Sequence, residues 1–340
     1  MTFNPDWRYK RQNCFHIEEK RLIPYAFDTE RMVYGNVNLS IFTTDVCNAK
    51  CNFCVAELRH LNEGVVYQKT TIPDDEEYFA RLAEVLEKVR PLNPSVSLTG
   101  GEPSLHHRLP RICHMLRRLD FRKLTITTNG SGLLNPPFTL PNLVYHKFQH
   151  LNISRAHYDA MRNSQLMVIA PNYLTEDTLR EIVKQAKANG VRPRLSCILV
   201  QSGVNSLPEM KKYLAWAESL GVDNVVFREL MHYDANKVEH SRIYNFCEAN
   251  RVPLTPIWEG MQADPEFTFE NQVLGYYYYV EVYKWRGIDV VAECADLKEI
   301  AAAKARTNLP VVYEMVFHPN GSLNGSWRED EDILLAYDKH

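Results

Sequence analysis

Strand-like and helix-like segments take turns between Val37 and Arg228, and that order restricts the fold more than any other feature of the chain. Runs rich in β-branched residues with period-two alternation fall at 37–43, 95–99, 123–128, 148–153, 192–200 and 224–228. Between them, apolar residues recur at helical spacing over 74–89 (Phe79, Leu82, Val85, Leu86, Val89), 109–119, 174–188 ahead of Gly190, and 207–220. Strands separated by helices run parallel, with right-handed crossovers and the helices on the outer face. The expected fold is α/β: a partial (βα)6 barrel, open on one side, with ligands at the C-terminal ends of its strands.

Those strand ends carry the polar residues. Cys47, Cys51 and Cys54 follow the first strand with the spacing C-x3-C-x2-C. Thiolates are soft ligands, and three of them on a four-iron cubane leave one iron open to a group that is not protein. A structural zinc site asks for a second Cys pair or a His pair, and Lys50, Glu57 and His60 do not complete one. A disulfide framework is disfavoured by 8 Cys in 340 residues and by an N-terminus without an apolar leader. Zinc and plain buried thiols are the competing readings.

The second strand runs into Gly100-Gly101-Glu102-Pro103, where the glycines allow close backbone approach and Glu102 presents a carboxylate; an ordinary turn with a capping Glu is the alternative. The third ends on Asn129-Gly130, and the fourth delivers Asn152, Ser154 and Arg155. A simple Asn-Gly turn and a helix cap are the bland readings of Asn129 and Ser154. On the fifth, Arg194, Ser196 and Ile198 alternate with Leu195 and Cys197, so one set points into the barrel, where a salt bridge would also explain Arg194.

C-x3-C-x2-C with an aromatic, Phe53, before its last Cys, followed by the GGEP segment, resembles the radical S-adenosylmethionine (SAM) superfamily. The resemblance implies one 4Fe–4S cluster on Cys47, Cys51 and Cys54, with SAM chelating the open iron. It implies reductive cleavage of SAM to methionine and a 5'-deoxyadenosyl radical that takes hydrogen from a substrate. It places cofactor contacts at Phe53, Gly100, Gly101, Glu102 (the SAM amino group), Asn129, Asn152, Ser154 and Arg194, with Val200 bordering adenine. An electron donor such as flavodoxin or ferredoxin is implied as well.

The sequence divides into an N-terminal extension (1–35) packing across the open side or bottom, the barrel (36–230), and a C-terminal α+β extension (231–340) covering the substrate side. Two hairpins are expected in the extension, one turning at Arg286-Gly287 and one at Pro319-Asn320-Gly321, with a helix over 295–305 between them. Only Cys247 and Cys294 lie there, too few for an auxiliary four-Cys cluster. A hydrophobic fraction of 45%, a formal charge of -3 and no long apolar run fit a cytoplasmic protein with no membrane partner, and the near-neutral charge argues against nucleic acid. The expected substrate is a small polar metabolite (a nucleoside, sugar or amino-acid-like molecule) in a biosynthetic pathway, with Arg228 and Glu229 on its side and His157, Tyr158, His232 and Tyr233 as further candidates. Modification of a peptide or RNA is the alternative within the same chemistry; a non-catalytic iron–sulfur or zinc-binding protein is the alternative outside it. Cys197 or a tail Cys could donate hydrogen, although Cys14, Cys113, Cys197, Cys247 and Cys294 read chiefly as small buried hydrophobes.

Overall fold

Alternation decides the barrel strand by strand. In Ser95–Thr99, Val96 and Leu98 are fully buried while Ser95, Ser97 and Thr99 are half-buried, and Lys123–Thr128 and Arg192–Ile198 repeat the pattern. A pleated strand sends successive side chains to opposite faces, so the aliphatic set meets the outer helices and the polar set lines the barrel. The structure, a computed structural model, describes residues 14–16, 22–54, 71–134, 140–231, 242–274, 278–295 and 310–337.

Among these residues the strands are β1 (Cys14–His16), β2 (Leu22–Ala26), β3 (Glu30–Phe42), β4 (Ser95–Thr99), β5 (Lys123–Thr128), β6 (His150–Ser154), β7 (Arg192–Ile198), β8 (Asn224–Arg228), β9 (Phe267–Leu274), β10 (Tyr278–Trp285), β11 (Ile288–Ala295), β12 (Val311–Phe317), β13 (Leu323–Asn324) and β14 (Ile333–Leu335). Strands β3 to β8 lie side by side, each parallel to the next. Closure would require β3 to pair with β8. Instead β12 pairs parallel with β3, Glu314 opposite Asn38, and β11 pairs parallel with β8, Glu293 opposite Arg228. The result is an open, partial barrel whose two edges are both taken by strands of the C-terminal segment.

The helices on the outer face follow their apolar stripes. Asp75–Val89 is started by Asp74, whose side chain accepts from the Glu77 N–H at 2.8 Å, and it buries Phe79, Leu82, Val85, Leu86 and Val89. Leu109–Leu119 and Leu207–Ser219 match their sequence signals closely. The helix expected from 174 begins at Glu176, because Thr175 caps it. Ala160–Met167 was not read from the sequence, since two turns are too short for a period of 3.6 to stand out.

Both expected hairpins form. Tyr278–Trp285 and Ile288–Ala295 turn at Arg286 and Gly287, both at positive φ as a two-residue primed turn requires. Val316 and Phe317 pair with Asn324 and Leu323 around the second turn. Strand β3 begins at Glu30, ahead of position 36, and pairs antiparallel with β2. Beyond Ala295, the end of β11, the expected helix lies outside the described residues, as do His232 and Tyr233. No helix among the described residues is long and apolar enough to cross a membrane.

One buried arginine ties the C-terminal segment to the barrel. Arg81, 7% exposed, donates to the carbonyls of Gly321 (2.8 Å) and Ala336 (2.7 Å) and lies over the Tyr337 ring. Arg81→Met keeps most of the volume and strands those carbonyls. It is expected to lower unfolding stability by about 3 kcal/mol in urea titration, and a change under about 0.5 would show that the tether is not a stabilising one.

Candidate active site

Cys47, Cys51 and Cys54 sit on the loop that leaves β3, above the C-terminal ends of the parallel strands. Two supports hold this loop. One is the end of the Ala160–Met167 helix, whose last carbonyls have no partner of their own. Lys50 N–H donates to Met167 O at 3.2 Å, and Asn52 N–H to Leu166 O at 3.1 Å. Phe53, Cys51 and Cys54 pack there against buried Leu166, Met167, Ile169, Val200 and Cys247, so Val200 forms part of the apolar wall beneath the loop.

The other support is the Gly100-Gly101-Glu102 turn. Gly101 N–H donates to Thr44 O at 2.5 Å and Glu102 N–H to Val46 O at 2.9 Å. A Cβ on Gly101 would lie 2.1 Å from Val46 O, so the close approach that needs glycine here is to the cysteine loop itself.

Glu102 is 1% exposed. Its carboxylate accepts from Ser104 N–H (3.0 Å), Ser104 Oγ (2.5 Å), Asn129 N–H (2.6 Å) and Thr128 Oγ1. Burial raises its pKa above the ordinary carboxyl value, and these hydrogen bonds pull the other way. The carboxylate thus joins the ends of β4 and β5. Asn129 continues the connection: its Nδ2 donates to Asn48 Oδ1 at 2.7 Å, its Oδ1 accepts from Ser131 N–H at 3.0 Å, and Asn48 Nδ2 donates to Ser131 Oγ at 3.0 Å. Asn48, Ser104, Thr128 and Ser131 were missed in the sequence. Only Asn48 carried a signal, as a polar residue inside the x3 spacer.

The three thiols fit an iron–sulfur cluster as a donor set. Cys47 is exposed and Cys51 and Cys54 are half-buried on one short loop. Desolvation of the Cys47 sulfur, with Glu102 and Cys54 nearby, pushes its thiol up to about 11. Bound iron reverses that order, because a coordinating thiol is deprotonated outright. Among the described residues no three His, Cys, Asp or Glu side chains converge on a single ion, whereas a cubane takes its thiolates at separate corners.

Below the loop the barrel is lined by polar side chains. Asn152, with Nδ2 3.4 Å from Thr127 Oγ1, has a buried Oδ1 without a partner, and Ser154 stands one step above it. Arg194 donates to Asn224 Oδ1. Arg228 lies 3.6 Å from Glu293, and Glu229 Oε2 accepts from Leu254 N–H at 3.1 Å. Phe53, Ile198, Arg228, Glu229, Cys247 and Glu293 border a cavity of about 60 Å³. The structure therefore brings Phe53, Arg228 and Glu229 together beside the cysteines.

Other candidates face elsewhere. Cys197 is fully buried on the helix side of β7, its thiol 3.4 Å from Ala156 O. Tyr158 donates to Glu209 at 2.9 Å, and His157 Nδ1 accepts from Asp159 N–H at 2.9 Å. Both fasten a loop to neighbouring structure.

Residues 41–206 match the Radical SAM superfamily, so this part of the chain is a radical SAM domain. That superfamily works with a 4Fe–4S cluster and SAM. The chain is 29% identical over 247 residues to molybdenum cofactor biosynthesis protein 1 of Bos taurus, covering 71% of this chain and 36% of the relative. It is 29% identical over 175 residues to an S-adenosylmethionine-dependent nucleotide dehydratase of Selenomonas ruminantium (50% and 57% covered) and 28% identical over 188 residues to the GTP 3',8-cyclase of Aquifex aeolicus (54% and 53%). The matched stretches span between about a third and three fifths of these relatives' own length. In fold the chain is similar to Streptococcus suis SuiB bound to precursor peptide SuiA, with a TM-score of 0.51 at 16% identity, covering 85% of this chain and 59% of that one.

Proposed function

We propose that this chain is a radical SAM enzyme that abstracts hydrogen from a small polar metabolite in a biosynthetic pathway, drawing electrons from a donor such as flavodoxin or ferredoxin. The observation that carries the reading is the clamped loop: three cysteines held over the strand ends by Gly101, Glu102 and the Asn48–Asn129 contact. When bound, the cluster and SAM would supply one-electron cleavage of SAM and with it a radical able to attack an unactivated C–H bond. The protein's own part is placement and exclusion of water. Phe53 and the apolar wall around Val200 shield the loop from one side. Asn152, Ser154 and Arg194 line the barrel beneath, and Arg228 and Glu229 border the cavity beside it. The activities for which the relatives are named, on GTP and on nucleotides, support a small nucleotide-like molecule over a macromolecule.

The test is anaerobic reconstitution, iron and sulfide counting, and a dithionite assay for 5'-deoxyadenosine with SAM alone. About four irons per chain with slow deoxyadenosine release are expected. A chain that takes up no cluster, or one that never cleaves SAM, would instead be a binding or structural protein.

A further inference from the structure

The barrel interior holds more positive charge than its own carboxylates neutralise. Register places the groups together: Thr125 is opposite His150 and His150 opposite Arg192, while Asn152, Arg194 and Asn224 form the next row. Lys123 stands two residues before Thr125 on the same face of β5. Arg192 is matched by Asp223 and Asp289, and Arg228 faces Glu293. Lys123 and Arg194 have no carboxylate at ion-pair distance among the described residues; Glu293 and Asp289, which act on Arg194 from farther off, are already engaged by Arg228 and by Arg192 and Lys284. Among the described residues Lys123 makes no hydrogen bond or ion pair, and Arg194 makes one hydrogen bond, to the neutral amide of Asn224. Beside them His150 Nδ1 is buried without a partner.

Desolvation lowers the pKa of both cations, that of Arg194 to about 10, with Arg228 and Arg192 adding repulsion that Glu293 and Asp289 offset in part. His150 is pushed down to about 4 by burial and by Lys123, Arg194 and Arg192. Charges taken out of water are normally paired, and an unpaired one costs several kcal/mol. Two such cations on the inner face of the barrel, close enough to repel each other, describe a site for an anion.

We propose that Lys123 and Arg194 bind a phosphate group of the substrate inside the barrel. A phosphate ester carries close to two negative charges near neutral pH, enough to offset both cations, where a carboxylate carries one. Arg offers a planar fork for two of its oxygens and Lys a point charge for a third. Position agrees. Arg194 lies four residues below the end of β7 at Ile198, about 13 Å at the rise of a strand. A group held there leaves the other end of a phosphorylated sugar or nucleoside at the barrel mouth, under the cysteine loop. This inference rests on the enzyme reading only in naming the bound anion as part of the substrate.

The test uses the full cluster-loaded chain under anaerobic conditions, with inorganic pyrophosphate, GTP and guanosine as calorimetric probes. Pyrophosphate and GTP are expected to bind, more weakly as salt rises, and guanosine at least about tenfold more weakly than GTP. Lys123→Gln and Arg194→Gln should each weaken pyrophosphate and GTP at least about tenfold. Without ligand, both variants should keep their iron and melt no lower than the parent, because a half-buried cation with no ion pair has been removed. Unchanged affinity in either variant overturns the proposal. So does a ligand-free melting point that falls clearly, which would reveal an internal carboxylate partner from outside the described residues. The two readings fail separately: deoxyadenosine release from SAM without phosphate binding sinks this one alone, and phosphate binding lost in the two variants without SAM cleavage sinks the enzyme reading alone.

Discussion

Cys51→Ala is expected to remove the 4Fe–4S absorbance and 5'-deoxyadenosine formation together, with iron falling from about four per chain to near zero. Two thiolates cannot hold three corners of a cubane. Alanine at this position leaves no donor for the third iron, and the described residues offer no other thiol on the loop than Cys47 and Cys54. The same loss is expected for either of those two. Cys113→Ala is the comparison: that thiol is fully buried on the inner side of the outer helix Leu109–Leu119, so its removal should cost about 1 kcal/mol of stability and leave the iron in place. A full, catalytically competent cluster in any one of the three loop variants would refute the ligand assignment.

Gly101→Ala should come close to the same loss without touching a ligand. The added methyl would lie 2.1 Å from Val46 O and 2.5 Å from Val46 C, and backbone on a pinned loop has nowhere to retreat. Relief requires breaking the bonds from Gly101 N–H to Thr44 O and from Glu102 N–H to Val46 O, which set the cysteine loop over β4. Cluster occupancy after reconstitution should fall at least about fivefold, with a loss of roughly 3 kcal/mol in stability from overpacking and two broken bonds. Gly190→Asn is the contrast. At Gly190 a Cβ meets nothing within 4 Å, and Asn tolerates the left-handed backbone better than most residues, so little should change. Normal iron and normal deoxyadenosine release in Gly101→Ala would show that the loop is placed by something other than this turn.

Much of the fold could be read because burial on one face leaves a periodic trace. Val96 and Leu98 against Ser95, Ser97 and Thr99 are visible as letters before they are visible as a strand. The three cysteines were legible because their spacing is chemically specific. The supports beneath them were not: Asn48 meets Asn129, and Lys50 meets Met167, across loops that no local pattern connects. Glu102 illustrates the same limit. A carboxylate at a strand end reads as a ligand for something bound, and here it joins Ser104, Thr128 and Asn129. Lys123 and Arg194 were each visible as polar letters in alternating strands. That they share the inner face of the barrel with no carboxylate paired to either follows only from the register of β5, β6 and β7 and from the described ion pairs.

The pairing of β12 with β3 has a consequence for how the molecule comes into being. Met32 to Ile41 are synthesised well before Val311 to Phe317, which flank them. Contacts between such distant stretches close a very large loop, and folding slows as that separation grows. A nascent chain carrying the whole cysteine loop must therefore wait with one side of its first barrel strand bare. An unpaired strand edge is also where foreign strands attach. Emergence of β12, rather than completion of the six barrel strands, is the point at which this edge of the sheet acquires its border.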